Sequence, residues 1–287
     1  MKEKFIYCLK SLAYFSLVLC FVEPVLAQQK LNNIQKDSFY APTGVRIDGN
    51  TAEWEDKYQA FNKATGIYYS IANDSTNLYL VIKSGSQATT NKIMRGGITF
   101  KVSAGKKDGG QAFLFPVPGA SDMRKLNQAI RGSNQNTNQK MSLDQIKRRA
   151  DSIMAVGNAR QIAQLKEIKI DGIPSITDSV ISIYNEYGIK AGLFLSHENV
   201  LTYELAVPIK LLGLAEHENK IAYNIRLNGM QIRARAIPGN FPDAGGTVTV
   251  FKNSGPEGAA GMSNKMAEMR DMTLPTDVSG KYAFIKK

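Results

Sequence analysis

Five carboxylates crowd the opening of the chain: Asp48, Glu53, Glu55, Asp56 and Asp74. Oxygen ligands of this kind suit a hard cation such as calcium, or the hydroxyls of a sugar. Asp is also recruited at turns because its side chain bonds its own main chain, and no EF-hand spacing is present, so a structural use of the cluster is favoured. The two histidines, His197 and His217, sit in polar turn contexts, Ser196-His197-Glu198-Asn199 and Glu216-His217-Glu218-Asn219. Haem needs an axial pair and a hydrolytic zinc about three protein ligands, which two turn histidines do not supply. Met262, Met266, Met269 and Met272 recur at helical spacing and would line up soft thioethers of the kind that hold Cu(I). A short helix docking by an apolar stripe is the plainer reading. No nucleophile elbow, phosphate-cradling glycine loop or zinc helix motif occurs. Two carboxylates brought together by a fold could still serve a glycosidase. Catalysis is therefore left open, with non-catalytic binding expected. No cofactor is expected: calcium is the one metal the carboxylates suit, and haem is disfavoured.

The elements that would position these residues are mostly strands. From Val45 onward, runs rich in β-branched and aromatic residues recur between Gly, Asn, Asp and Ser clusters: Gly66 to Ala72, Asn77 to Lys83, Gly97 to Val102, Gln111 to Val117, Val180 to Tyr187, Lys190 to Leu195, Val200 to Val207, Lys220 to Leu227 and Thr247 to Phe251. This is the habit of an antiparallel β-sandwich. Leu78, Leu80 and Ile82 alternate with Tyr79, Val81 and Lys83, so one of these faces is core. Asn73-Asp74-Ser75-Thr76-Asn77 supplies a hairpin turn, because Asn and Asp tolerate left-handed backbone.

Residues 121–165 break the strand habit. Leu143, Ile146, Ala150 and Ile153 fall at helical spacing and Ser142 can cap the first turn, which predicts a helical insertion. The expected fold class is mainly β, an antiparallel β-sandwich over 44–251 carrying that insertion. A flexible lead-in is expected over 28–43, and a Gly- and Met-rich tail over 252–287, with its last regular structure near Tyr282 to Ile285.

Residues 1–27 read as a cleavable signal peptide. Lys2, Lys4 and Lys10 form the basic start, an apolar run extends from Leu12 to Val22, and small-residue cleavage chemistry lies at Val25-Leu26-Ala27. The run is about half the roughly 20 residues that span a bilayer as a helix. Leu19 is too bulky to make Cys20 a lipid-attachment site. Cleavage would remove both cysteines, Cys8 and Cys20, leaving no thiol for a disulfide, a metal or nucleophilic attack. The expected localisation is exported: periplasmic, outer-membrane-associated or extracellular.

The formal net charge is +11. Much of the excess lies in residues 120–170, where ten Lys and Arg face four Asp and Glu. Nucleic-acid binding would interleave such charge with aromatic rings, and this segment has none, so no nucleic-acid partner is expected. A solvated helical face that lies near an acidic cell-envelope surface is the expectation instead.

Two stretches carry a resemblance. Val45-Arg46-Ile47-Asp48-Gly49, leading to Trp54, and Tyr68 to Asn73 followed by Asp74-Ser75-Thr76-Asn77-Leu78-Tyr79-Leu80, resemble the opening of a family 9 carbohydrate-binding module of the DOMON-like group. Tyr203-Glu204-Leu205-Ala206-Val207-Pro208 and the turn after it resemble that family's later strand of Glu, apolar residue and Pro, and Ile221 to Asn228 resembles the strand that follows. The likeness covers roughly 44–120 and 176–251, with 121–165 as an insertion. It implies a sandwich and, as leading ligand class, a glycan or polysaccharide. The group also includes haem-binding electron-transfer domains, and a cell-envelope scaffold or an accessory protein to a glycoside hydrolase are the further alternatives.

In that family the tryptophan matching Trp54 resembles a core residue, so a platform for stacking on sugar would come from tyrosines such as Tyr68, Tyr69, Tyr79, Tyr184 or Tyr187. Tyr68 and Tyr69 are neighbours on one strand and point to opposite faces. The expected ligand-binding set is Tyr69 and Tyr79 as stacking rings, with Asp74, Asn77, Arg95 and Arg226 bonding the hydroxyls.

Overall fold

The strand Lys220–Leu227 alternates strictly: Ile221, Tyr223, Ile225 and Leu227 are buried, and the residues between them are exposed or half-exposed. A strand so patterned has one face on a core and one in water. Glu167–Asp171 does the same with Ile168 and Ile170 inward. By contrast Leu201–Pro208 is buried at nearly every position, so both of its faces are covered.

The computed structural model describes residues 31–104, 109–118, 162–196, 198–215, 219–230 and 270–286. In chain order these form β1 (Ala60–Asn62), β2 (Ile67–Asn73), β3 (Asn77–Ser84), helix α1 (Gln87–Gly96), β4 (Ile98–Ser103), β5 (Gln111–Phe115), β6 (Glu167–Asp171), β7 (Val180–Ser182), β8 (Lys190–Leu195), β9 (Leu201–Pro208), β10 (Lys220–Leu227) and β11 (Thr276–Ala283). They make an antiparallel β-sandwich, one sheet ordered β1-β2-β3-β9-β8 and the other β11-β10-β4-β5-β6-β7. Leu78, Leu80 and Ile82 of β3 and Leu205 and Val207 of β9 meet Phe100, Phe113 and Ile225 of the other sheet in one apolar core. Tyr69 of β2 and Tyr223 of β10 join the sheets through their hydroxyls, 3.0 Å apart.

Three elements went unread in the sequence. β6 carries a clean alternation, Glu-Ile-Lys-Ile-Asp, immediately after the expected insertion. β1 is too short to show a period. Helix α1 is started by Ser86, whose Oγ accepts the Thr89 N–H at 3.2 Å, and ended by Gly97 at φ 74°, whose N–H bonds Ile93 O. It carries the chain from β3 in one sheet to β4 in the other.

Other boundaries shift. The strand expected over Val180 to Tyr187 stops at Ser182. The last regular structure, expected near Tyr282, is a strand of 8 residues starting at Thr276 and pairing along all of β10. The signal peptide, Thr247 to Phe251, His197, His217, Met262, Met266, Met269 and all of the insertion except 162–165 lie outside the described residues.

The lead-in expected to be flexible is bound in its described part. Asn32 bridges Ala60 and Tyr40 bridges Asn73. Gln35 is buried and its side-chain amide copies a neighbouring strand, accepting from Ile71 N at 2.7 Å and donating to Ile71 O at 2.8 Å. The edge of β2 beyond the short β1 is thereby satisfied. From residue 32 to residue 58 the chain forms a strap that runs along the edge of β2 as far as Ala41 and then crosses the outer face of the five-stranded sheet, which is why Tyr79 and Val81, on the face of β3 turned away from the sandwich core, are also buried.

Candidate functional site

Under the strap lies a buried carboxylate. Glu204 of β9 is fully buried and accepts three N–H bonds: Trp54 Nε1 at 2.8 Å, Gly49 N at 2.9 Å and Asp48 N at 3.2 Å. Burial pushes its pKa up to about 7 against the pull of those three donors, with the Asp48 charge adding to the rise. Gly49 can approach because it lacks a side chain. At φ 87° its Cβ would stand 2.3 Å from the Leu193 carbonyl carbon, and facing Gly192 leaves the matching space on β8. Trp54 packs edge-on against Tyr79 and Phe39, with ring centroids 5.9 and 6.3 Å away. The tryptophan is buried as expected, but on the outer face of one sheet rather than between the two.

Beside this cluster the same outer face opens into a cleft of about 840 Å³. Strand register sets its cross-section. Tyr79 of β3 lies opposite Ala206 of β9, and Ala206 opposite Lys190 of β8. Tyr79 and Lys190 therefore stand two strand spacings apart, roughly 10 Å, with a small residue between them. Pro208 extends this floor, and Val45, Arg46 and Ile47 of the strap form one side.

The remaining walls come from three tight turns. In the β2–β3 turn Asp74 Oδ1 accepts from the backbone of Thr76 and Asn77, both at 2.6 Å. After β9 a 3-10 turn, Ile209–Leu212, carries Lys210, anchored where Ile209 N donates to Thr76 O at 2.8 Å. Between β7 and β8 the Asn185 side chain donates to Ser182 O and Ile189 O, at 2.7 and 2.6 Å, closing a loop that presents Glu186 and Tyr187 to the cleft.

The lining carries three cations, Arg46, Lys190 and Lys210, against one carboxylate, Glu186. All four are exposed. Arg46 reaches Glu53 at 3.3 Å through Nε, whereas the side chains of Lys190 and Lys210 have no ion pair or hydrogen bond among the described residues. Tyr187 is the half-exposed ring here. Tyr184, three residues earlier, is 76% exposed and lies outside the cleft.

The expected ligand-binding residues are dispersed. Tyr69 is fully enclosed between the sheets, its hydroxyl taking the Gln35 N–H and meeting Tyr223, so it offers no ring to a sugar. Tyr79 lines the cleft with little exposed surface, and its hydroxyl donates to Asp74 Oδ2 at 2.7 Å. Burial and that bond push the Tyr79 pKa up to about 12. Asp74 spends both carboxylate oxygens on Tyr79, Thr76 and Asn77. Burial would raise its pKa, but these bonds together outweigh it and hold the group below its ordinary value. Asn77 lines the cleft and bonds the Tyr79 hydroxyl at 3.3 Å. Arg95 is elsewhere, at the end of α1, with Nη1 3.3 Å from Met230 Sδ. Arg226 projects from the outer face of the six-stranded sheet, between Thr99 and Asp277, on the opposite side of the sandwich from the cleft. Sequence reasoning missed Arg46, Glu186, Lys190 and Lys210, which share no spacing along the chain.

The opening carboxylates are each tied to a local partner. Asp48 Oδ1 accepts Asn50 N at 2.8 Å, Asp56 pairs with Lys83 at 3.1 Å, and Glu55 pairs with Lys57. Among the described residues no three His, Cys, Asp or Glu gather as a metal site. Compared with known proteins, the chain matches no family model, no curated protein and no solved structure.

Proposed function

We propose that this chain is an exported, non-catalytic binding protein and that a glycan occupies the cleft between Tyr79 and Lys190. The observation that carries this reading is the open cleft on the sheet face, with an apolar floor of Ala206 and Pro208, one available aromatic ring, Tyr187, and polar groups converging from three turns. Sites of this make-up, a mostly apolar floor with a few placed polar groups, bind small or chain-like ligands. The sequence likeness to family 9 carbohydrate-binding modules supports the same ligand class, and its two motifs meet beneath the strap beside the cleft, where Gly49 and Trp54 from the first bond Glu204 from the second.

Glycan-array binding by the purified chain tests the proposal, with Tyr187→Ala beside Tyr184→Ala. Saturable binding that survives a high-salt wash is expected, weakened about tenfold by Tyr187→Ala, which removes a stacking contact worth roughly 1 kcal/mol or more, and unaffected by Tyr184→Ala. Binding only to polyanions, abolished by salt and equal in both variants, would instead support a scaffold acting through the basic residues 120–170.

A further inference from the structure

We propose that the glycan is acidic, a chain carrying uronate carboxylates, and that Lys190 and Lys210 recognise those carboxylates with Arg46 beside them. This rests on the glycan reading of the cleft and names its ligand class. Three cations and a single carboxylate line one concave surface, and the two lysines are not neutralised by any ion pair among the described residues. Of the other carboxylates nearby, Glu53 pairs with Arg46 and two more are withdrawn from the lining. Asp74 is turned into its own hairpin and onto Tyr79, and Glu204 is sealed beneath the strap.

The three cations approach from different directions: Arg46 from the strap, Lys190 from the edge strand and Lys210 from the turn anchored to Thr76. Separate elements thus bring positive charge to one volume: β8 and the turn after β9 are held by backbone bonds, and the strap next to Arg46 by Glu204. An apolar floor of Ala206 and Pro208 lowers the local dielectric, which strengthens an ion contact made above it relative to open water. The gap of roughly 10 Å between Tyr79 and Lys190 admits a pyranose ring, and Tyr187 offers the ring a face. A neutral sugar would leave both lysine ammoniums without an anionic partner.

The test is calorimetry of the full chain with an oligogalacturonate and with the same oligomer methyl-esterified, which keeps the rings and removes the charge. The acid form is expected to bind about tenfold tighter or more, with the difference shrinking in high salt. Lys190→Gln and Lys210→Gln should each weaken the acid form about two- to fivefold, the range of one exposed ion contact, and leave the methyl ester unchanged. Both lysines are exposed, so the thermal midpoint of each variant should match the parent. Equal affinity for the two forms, with Tyr187→Ala weakening both, would overturn the acidic assignment and leave a neutral-glycan site standing. Tight binding of the acid form that neither lysine variant changes would overturn the placement of the charge. Failure of both oligomers and of every array glycan would remove the glycan reading itself.

Discussion

Glu204 shows how far a single residue's environment can depart from its type. A carboxylate with three N–H donors ordinarily stays ionised, yet its complete burial pushes the pKa to about 7 from an ordinary 4.5. The proton is held more tightly in the folded chain than in the unfolded one. Protonation therefore stabilises the fold: the contribution is fully present below pH 4.5 and is lost as pH rises through about 7. Urea unfolding across that window should show stability falling by on the order of 3 kcal/mol with rising pH. Glu204→Gln, which cannot ionise, should remove that slope. Asp74 acts in a separate window, because its lowered pKa gives stability that is lost only in acid below its ordinary value of 3.8.

At the scale of elements, the strap decides which surface of the five-stranded sheet meets water. It lies close to β8 through two facing glycines. Gly49→Ala would place a methyl carbon 2.3 Å from the Leu193 backbone at a φ that side chains rarely adopt. A loss of about 2 kcal/mol or more in unfolding free energy is expected, measured by denaturant titration. The strap and the turns around it also explain what could be read in advance. Strands with one wet face, such as β10, announced themselves by alternation. β2 and β3 were legible because their hairpin carries Asp74, whose carboxylate accepts the turn's own Thr76 and Asn77 N–H groups; the left-handed backbone expected there is not used, since no residue from Asn73 to Asn77 has a positive φ. Helix α1 was not, because Ile93 is its one fully buried large apolar side chain and its other buried positions are polar or Gly, so no apolar stripe marks it. Lys190 and Lys210 carried no signal either, being ordinary lysines until the register of β8 with β9 set one of them across from Ala206.

At the scale of the whole molecule, the single tryptophan reports on the strap while far-ultraviolet circular dichroism reports on the sheets. Trp54 is tied to Glu204, deep in β9, and Gln35 is tied to Ile71, so the strap is bonded into the sheet at both ends. Fluorescence and dichroism should then give one coincident unfolding transition. An earlier fluorescence transition would mean that the strap detaches before the sandwich opens. The sequence alone determined that the chain is mainly β and where most of its strands run, because period-two alternation and turn chemistry are local properties. Tertiary structure alone decided that Tyr69 is sealed between the sheets, that Arg95 and Arg226 stand apart, and that Arg46, Lys190 and Lys210 share a cleft. Those outcomes depend on which strands become neighbours and in what register, and pairing between residues more than a hundred positions apart, such as Tyr79 with Ala206, leaves no mark on the spacing of either segment.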